Sequence, residues 1–233
     1  MALTRYLAMT AAEIAKNPNL PPNIGWMACH FSPYGTALSN FPRHLPDGSL
    51  LILNDRTPIH GHDPEQIAAQ LSEHTGELHC SALLLDFQRP DCEETAVLVD
   101  YLLQAASCPV VVSDVYAKAL NCPVFLPPVP PSVSLEAHLD RWKGRDIWLE
   151  IGLDGEMITL TEAGASVTSL PHFVPLSDGH WDKKLHCHYK TEVGEIARFT
   201  LWRTQEDWNT LAEEAVQWGV TAMVGLYQEL ADT

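Results

Sequence analysis

What most restricts the folding of this chain is a series of short, almost unbroken apolar runs. They are Ile24–Phe31 (IGWMACHF), Ser49–Asp55 (SLLILND), Ser81–Phe87 (SALLLDF), Cys108–Asp114 (CPVVVSD), Cys122–Pro128 (CPVFLPP), Asp146–Leu153 (DIWLEIGL), Ile196–Trp202 (IARFTLW) and Thr221–Tyr227 (TAMVGLY). A strand with one wet face alternates apolar and polar residues, whereas a strand covered on both faces does not. Eight such runs, several separated by helix patterns, predict an α/β fold closed as a (β/α)8 barrel of the TIM type.

The helix patterns have recognisable ends. Asp63 precedes Pro64 and Glu65 as an N-cap would, and that segment is expected to close on Gly76. A second helix is expected from Asp91, with acids in its first turn, and a third from Thr204 to Gly219 with a capping pattern over Thr204–Asp207. The N-terminal segment reads as a short amphipathic helix ending before Asn17-Pro18. Three features depart from a regular barrel. Little room for a helix separates Asp114 from Cys122, Leu126–Ser134 (LPPVPPSVS) is a stiff proline-rich connection, and Glu150–Gly164 reads as a hairpin turning at Asp154-Gly155. We expect one domain over residues 1–233, with a local antiparallel insertion.

Charge removes several classes of function. The 233 residues carry a net charge of −16, so a nucleic-acid backbone or an anionic membrane surface is repelled. No stretch reaches the roughly 18 apolar residues of a membrane span, and Glu13 breaks the N-terminal segment where a signal peptide needs an apolar core. The six cysteines form no CxxC pair, which fits reduced thiols and a cytoplasmic setting.

Polar residues collect just after the apolar runs. His30 follows the first, Asn54 and Asp55 the second, and Asp86 and Gln88 the third. Ser113, Asp114 and Tyr116 follow the fourth, Glu150 lies in the sixth, Arg203 and Glu206 follow the seventh, and Tyr227, Gln228 and Glu229 end the eighth. In a parallel barrel these carboxyl ends share one face, where sites are built.

The run ALLLDFQRP resembles the fourth-strand motif D-G-x-D-x-D-W-E-x-P of the family-18 glycoside hydrolases, the chitinase-like enzymes. Asp86 falls on the last aspartate, Phe87 on the tryptophan and Pro90 on the proline. DIWLEIGLDGEMITLT is similar to that family's seventh strand and the loop beyond it, and the segment from His188 to Leu230 follows the layout of its spore-cortex-lytic branch. The resemblance implies a TIM barrel acting on or binding an amino-sugar carbohydrate, without a cofactor. It also implies that a glutamate should protonate the glycosidic oxygen while the aspartate beside it orients the substrate's N-acetyl group. Here that glutamate position is Gln88, an amide that cannot supply a proton. The motif's earlier aspartates fall on Ser81 and Leu84, and the final-strand tryptophan on Tyr227. Either the barrel binds sugar without ordinary chitinase chemistry, or other carboxylates act in its place. The candidates for chemistry are Asp86, Gln88, Asp114 and Glu150. Those for binding are His30, Tyr34, Asn54, Asp55, Tyr116, Trp202, Tyr227 and Gln228, with Trp26 as a further wall.

Two other chemistries compete. His60/His62 and His186/His188 are HxH units suited to a metal-dependent hydrolase. HGHDP lies in a loop, however, where Asp63 is better used as a cap. Cys29 beside His30 suggests a thiol nucleophile, yet adjacent strand residues face opposite ways. A non-catalytic interaction protein is the remaining alternative.

Overall fold

The computed structural model describes residues 3–33, 38–118 and 120–230. They pack as two compact units. The first holds residues up to 126 together with 145–149 and those from 221 onward, and the second holds 127–144 and 150–220.

The first unit is built on a closed parallel barrel. Its strands are β1 (Thr4–Met9), β2 (Ile24–Phe31), β4 (Leu50–Asn54), β5 (Ala82–Asp86), β6 (Val110–Ser113), β7 (Val124–Leu126), β8 (Ile147–Ile151) and β14 (Val220–Leu226). They pair in the order β1-β14-β8-β7-β6-β5-β4-β2, and β1 pairs with β2 to close the ring. A two-residue strand β3 (Leu38–Ser39) adds antiparallel to β2. The (β/α)8 expectation therefore holds, with one exchange of strands.

Thr4–Met9 is the first barrel strand, and the expected helix is confined to α1 (Ala11–Lys16). Arg5 is exposed while Tyr6 and Ala8 are buried, an alternation hidden by the helix-forming residues that follow. The boundary is Thr10, whose hydroxyl accepts from Glu13 N while Glu13 accepts from Thr10 N at 2.6 Å. Counting β1 makes β5 the fourth barrel strand and β8 the seventh, the places that the resemblance assigns to those runs.

The barrel interior contains Tyr6, Ala8, Leu50, Ile52, Ala82, Leu84, Val111, Phe125, Trp148, Ala222 and Val224. These are alternate residues of their strands, as the pleat requires. Tyr6 and Trp148 stack with ring centroids 5.4 Å apart. Where β2 meets β1, a Cβ on Gly25 would lie 3.0 Å from Ile52 Cδ1 and 3.5 Å from Ala8 Cα, so glycine permits the close approach.

The connections are uneven. Helix α2 (Pro64–Glu77) is capped by Asp63 as expected but runs one residue past Gly76. Helix α3 (Glu93–Ala105) begins later than expected, with Cys92 as N-cap, because Asp91 sits at φ 57° in the left-handed region. Between β6 and β7 there is one turn, α4 (Asp114–Ala117). Arg145 ties that connection down by donating to Ala117 O at 3.0 Å and Cys122 O at 2.6 Å. Helix α7 (Tyr227–Leu230) follows β14.

The second unit is a five-stranded antiparallel sheet with two helices, α5 (Leu135–Leu139) and α6 (Gln205–Ala215). Its strands are β9 (Gly155–Thr161), β10 (Gly164–Leu170), β11 (His180–Asp182), β12 (Cys187–Val193) and β13 (Ala197–Trp202), ordered β10-β9-β13-β12-β11. Ile196–Trp202, expected in the barrel, thus belongs here. The hairpin turns at Glu162-Ala163 rather than Asp154-Gly155, since β9 begins at Gly155. Arg203 organises the unit from a buried position. Its guanidinium donates to the carbonyls of His186 (2.9 Å), Leu185 (2.8 Å), Pro130 (3.3 Å), Val133 (3.4 Å) and Val129. Burial lowers its pKa to about 10, with Cys187, Glu156 and Asp207 pulling the other way. No helix among the described residues is long and apolar enough to cross a membrane.

Candidate functional site

The carboxyl ends of β2, β4 and β5 place three expected residues in one row. Parallel register puts His30 beside Asn54 and Asn54 beside Asp86. Asn54 and Asp86 continue the inward sequence of Leu50-Ile52 and Ala82-Leu84. His30 joins them through a register shift between Trp26 and Cys29. With the extra residue in β2, Trp26 and Cys29 pair with the outward-facing Leu51 and Leu53, and His30 falls on the inner row.

Asp86 is the electrostatic centre of that row. Burial pushes its carboxyl pKa up, the Gln88 amide pulls it down, and neighbouring Asp55 adds a smaller upward push. Gln88 Nε2 donates to Asp86 Oδ1 at 2.6 Å. The two side chains expected from the motif are therefore one hydrogen-bonded unit.

Asp55 has a different role from the rest of the row. It is 6% exposed, and its two oxygens accept from the backbone N–H of Gln88 (3.1 Å) and Arg89 (2.8 Å). This carboxylate holds the loop after β5. Ser113 Oγ donates to Phe87 O at 2.6 Å, and Tyr116 OH donates to Arg89 O at 2.5 Å. Arg89 Nη2 also donates to Arg56 O at 2.9 Å. Phe87 is the buried pin, 6.0 Å from the ring of Phe31 and 6.2 Å from that of Tyr116. The loop carrying Gln88 is thus fixed from β4, β6 and α4. The anchoring contacts of Ser113 and Arg89 join residues far apart in the chain, so single residues do not reveal them. The available signal was an aromatic flanked by polar residues immediately after a buried strand.

The remaining candidates are dispersed. Asp114 is the first residue of α4 and half-buried. Glu150 lies on β8, half-buried, two residues past inward-facing Trp148. Tyr227 OH donates to Asn17 Oδ1 at 3.2 Å, and Gln228 is exposed one residue along α7. Two of the expected aromatic walls are buried rather than open. Trp26 donates through Nε1 to Asn40 O at 2.8 Å, and Trp202 is 1% exposed in the antiparallel sheet, stacked on His188. Trp202 leaves no room for a Cβ at Gly179. Arg203 is the carbonyl clamp of the second unit, and Glu206 lies in the first turn of α6. Tyr34, with the turn Ser32–Thr36 in part, lies outside the described residues.

The histidines have separate partners. His60 faces Glu94 at 3.5 Å, and the His62 ring lies 3.0 Å from Ser32 O. His186 pairs with Glu214 at 2.8 Å and His188 with Asp207 at 3.4 Å. Among the described residues, no three His, Cys, Asp or Glu side chains converge in a way that could hold a metal. Cys29 is fully buried and its thiol is pushed up to about 12 by desolvation, which suits a core residue rather than a nucleophile.

No protein-family model and no curated protein matches the sequence. Solved structures do match. One is a doubly substituted mutant of the GH18 chitinase from Cycas revoluta in complex with (GlcNAc)4, with a TM-score of 0.64 and 10% identity over 98% of this chain and 96% of that one. Another is the chitinase-like agglutinin of Robinia pseudoacacia, with a TM-score of 0.62 and 9% identity over 94% of this chain and 93% of that one. A third is the Bacillus cereus spore cortex-lytic enzyme SleL, with a TM-score of 0.58 and 8% identity over 96% of this chain and 70% of that one. At these identities the shared property is the architecture, and this chain has the fold of the chitinase-like, glycoside hydrolase family 18 barrels.

Proposed function

We propose that the chain binds an amino-sugar carbohydrate at the carboxyl ends of β2, β4 and β5, and does not hydrolyse it by the ordinary family route. One observation carries this reading. The partner held against Asp86 is the amide of Gln88, at 2.6 Å, where the resemblance puts a proton-donating glutamate. The Asp86 carboxyl and the His30 imidazole lie in one row, with the Asn54 amide between them held by Cys29 O (3.3 Å) and Arg56 N–H (3.1 Å). A carboxyl and an imidazole together supply acceptors and a donor for hydroxyl and N-acetyl groups. Among proteins with this fold, one is an agglutinin and another is held in complex with (GlcNAc)4, which supports the sugar class.

The test is the melting temperature of wild type and Asp86→Ala with N-acetylglucosamine oligomers, muropeptide fragments and divalent metals. A ligand at a hundred times its Kd stabilises the folded state by about 2.7 kcal/mol. For a chain of this size that is a rise of roughly 5–10 °C. The expected result is such a rise with a sugar in wild type and its loss in Asp86→Ala. A response to zinc alone, or a sugar response unchanged by Asp86→Ala, would remove this reading.

A further inference from the structure

We propose that the outer edge of the antiparallel sheet is a self-association surface, through which two copies of this chain pair β10 against β10. This inference concerns the second unit and goes beyond the sugar-binding reading.

Two independent features of the sheet point there. The first is the edge itself. Strand β10 is paired over all seven residues with β9 on one side, and it is terminal in the strand order. Among the described residues no strand pairs with its outer side, so the outward N–H and C=O groups of alternate residues face a strand-free edge. Natural sheets blunt such edges with charges, prolines or very short strands. The opposite edge follows that rule, since β11 has three residues and includes Asp182. Strand β10 does not, because GASVTSL contains neither a charge nor a proline, in a chain of net charge −16.

The second feature is the face beside that edge. Register places Val167, Ile158 and Phe199 side by side across three strands, and Leu160, Ala197 and Val193 in the neighbouring row. Val167 is 57% exposed, Leu160 41% and Val193 81%. Scattered apolar residues are ordinary on a protein surface, whereas rows aligned across strands form a patch.

The composition of β10 identifies the partner as a second copy. Antiparallel pairing about Val167 puts valine opposite valine, Ser166 opposite Thr168, Ala165 opposite Ser169 and Gly164 opposite Leu170. No pair opposes like charges, and the serine–threonine pairs favour cross-strand contact. The twofold axis joins the two apolar rows into one surface spanning both sheets, an isologous contact that closes on itself.

Sedimentation velocity on the full chain between about 1 and 100 μM tests this over the range in which weak dimers form. Wild type is expected to shift from monomer to dimer with concentration. Val167→Lys sets two ammonium groups opposite each other and should remain monomeric, with an unchanged far-UV spectrum and Tm. Val174→Lys, at a position 78% exposed and outside the strands, should dimerise like wild type. As a second variant, Val167→Cys should cross-link between copies on oxidation, because directly opposed antiparallel residues have Cα atoms about 4.5–5.5 Å apart. A wild type that stays monomeric throughout, or a Val167→Lys variant that dimerises normally, overturns the proposal.

Discussion

Asp86 is a carboxyl whose burial weighs against stability. Burial is the largest influence on it and raises its pKa, and the Gln88 hydrogen bond only partly opposes this. A group whose folded pKa lies above its unfolded value stabilises the fold below the unfolded pKa, near 4 for aspartate. That contribution fades as pH rises through the folded value. At neutral pH the ionised side chain therefore weighs against the folded state. Asp86→Asn keeps the shape and an oxygen able to accept from Gln88, so its Tm should exceed that of wild type at pH 7. The gap should shrink as pH falls toward 4. A pH-independent difference in Tm, or a less stable variant at pH 7, would contradict the assignment. Gln88 supports a complementary test. Gln88→Glu would place a second carboxyl on the Asp86 carboxyl, and like-charge repulsion would keep one of them protonated at higher pH. General acid catalysis typically contributes of the order of a hundredfold or more. Release of N-acetylglucosamine from its oligomers should rise by about that factor over wild type if the amide is all that separates this site from the family's chemistry. An inactive Gln88→Glu with intact sugar binding would show that further groups are missing.

The loop after β5 explains which parts of the site were legible in the sequence. Asp86 and Gln88 were readable because an apolar run stops on them, and the run's own residues set their direction. Asp55 also follows a strand and on that ground reads as a sugar ligand, but its oxygens are taken by the N–H groups of Gln88 and Arg89, more than 30 residues away. Nothing in its sequence neighbourhood records that pairing. Asp55→Ala would remove two part-buried hydrogen bonds to a charged carboxylate, at about 1.5–3 kcal/mol each. The expected Tm loss is roughly 6–24 °C, with weaker sugar binding as the loop carrying Gln88 loosens. Calorimetry and titration on the same variant measure both. A variant with wild-type Tm would mean that the loop does not need this anchor. The caps show the opposite case. Asp63 and Thr204 were legible because a cap bonds within three residues of itself, and both helices begin where expected. Asp91 misled because an acid before a helix can equally occupy a left-handed turn, which it does at φ 57°.

At the scale of the whole fold, eight buried runs implied eight strands, but one of the eight was misassigned. Ile196–Trp202 is as apolar as a barrel strand and lies in the antiparallel sheet, while Thr4–Met9 looks like the start of a helix and completes the barrel. Burial pattern alone cannot separate these cases, because membership is decided by the partner and not by the strand. The role of β1 is open to direct measurement. It contributes five register pairs to β14 and three to β2, and it buries Tyr6, Ala8 and Met9. Full burial of two large side chains is worth about 3–6 kcal/mol, comparable to much of the 5–15 kcal/mol that holds a typical domain together. Removing residues 1–9 would also open the ring between β2 and β14 and expose the edges of both strands to water. The truncated chain should lose its cooperative thermal transition and bind a hydrophobic dye at temperatures where the full chain does not. A truncation that melts cooperatively within a few degrees of wild type would mean that β14 and β2 can close the barrel without β1, and that the first strand is an addition to the fold rather than its keystone.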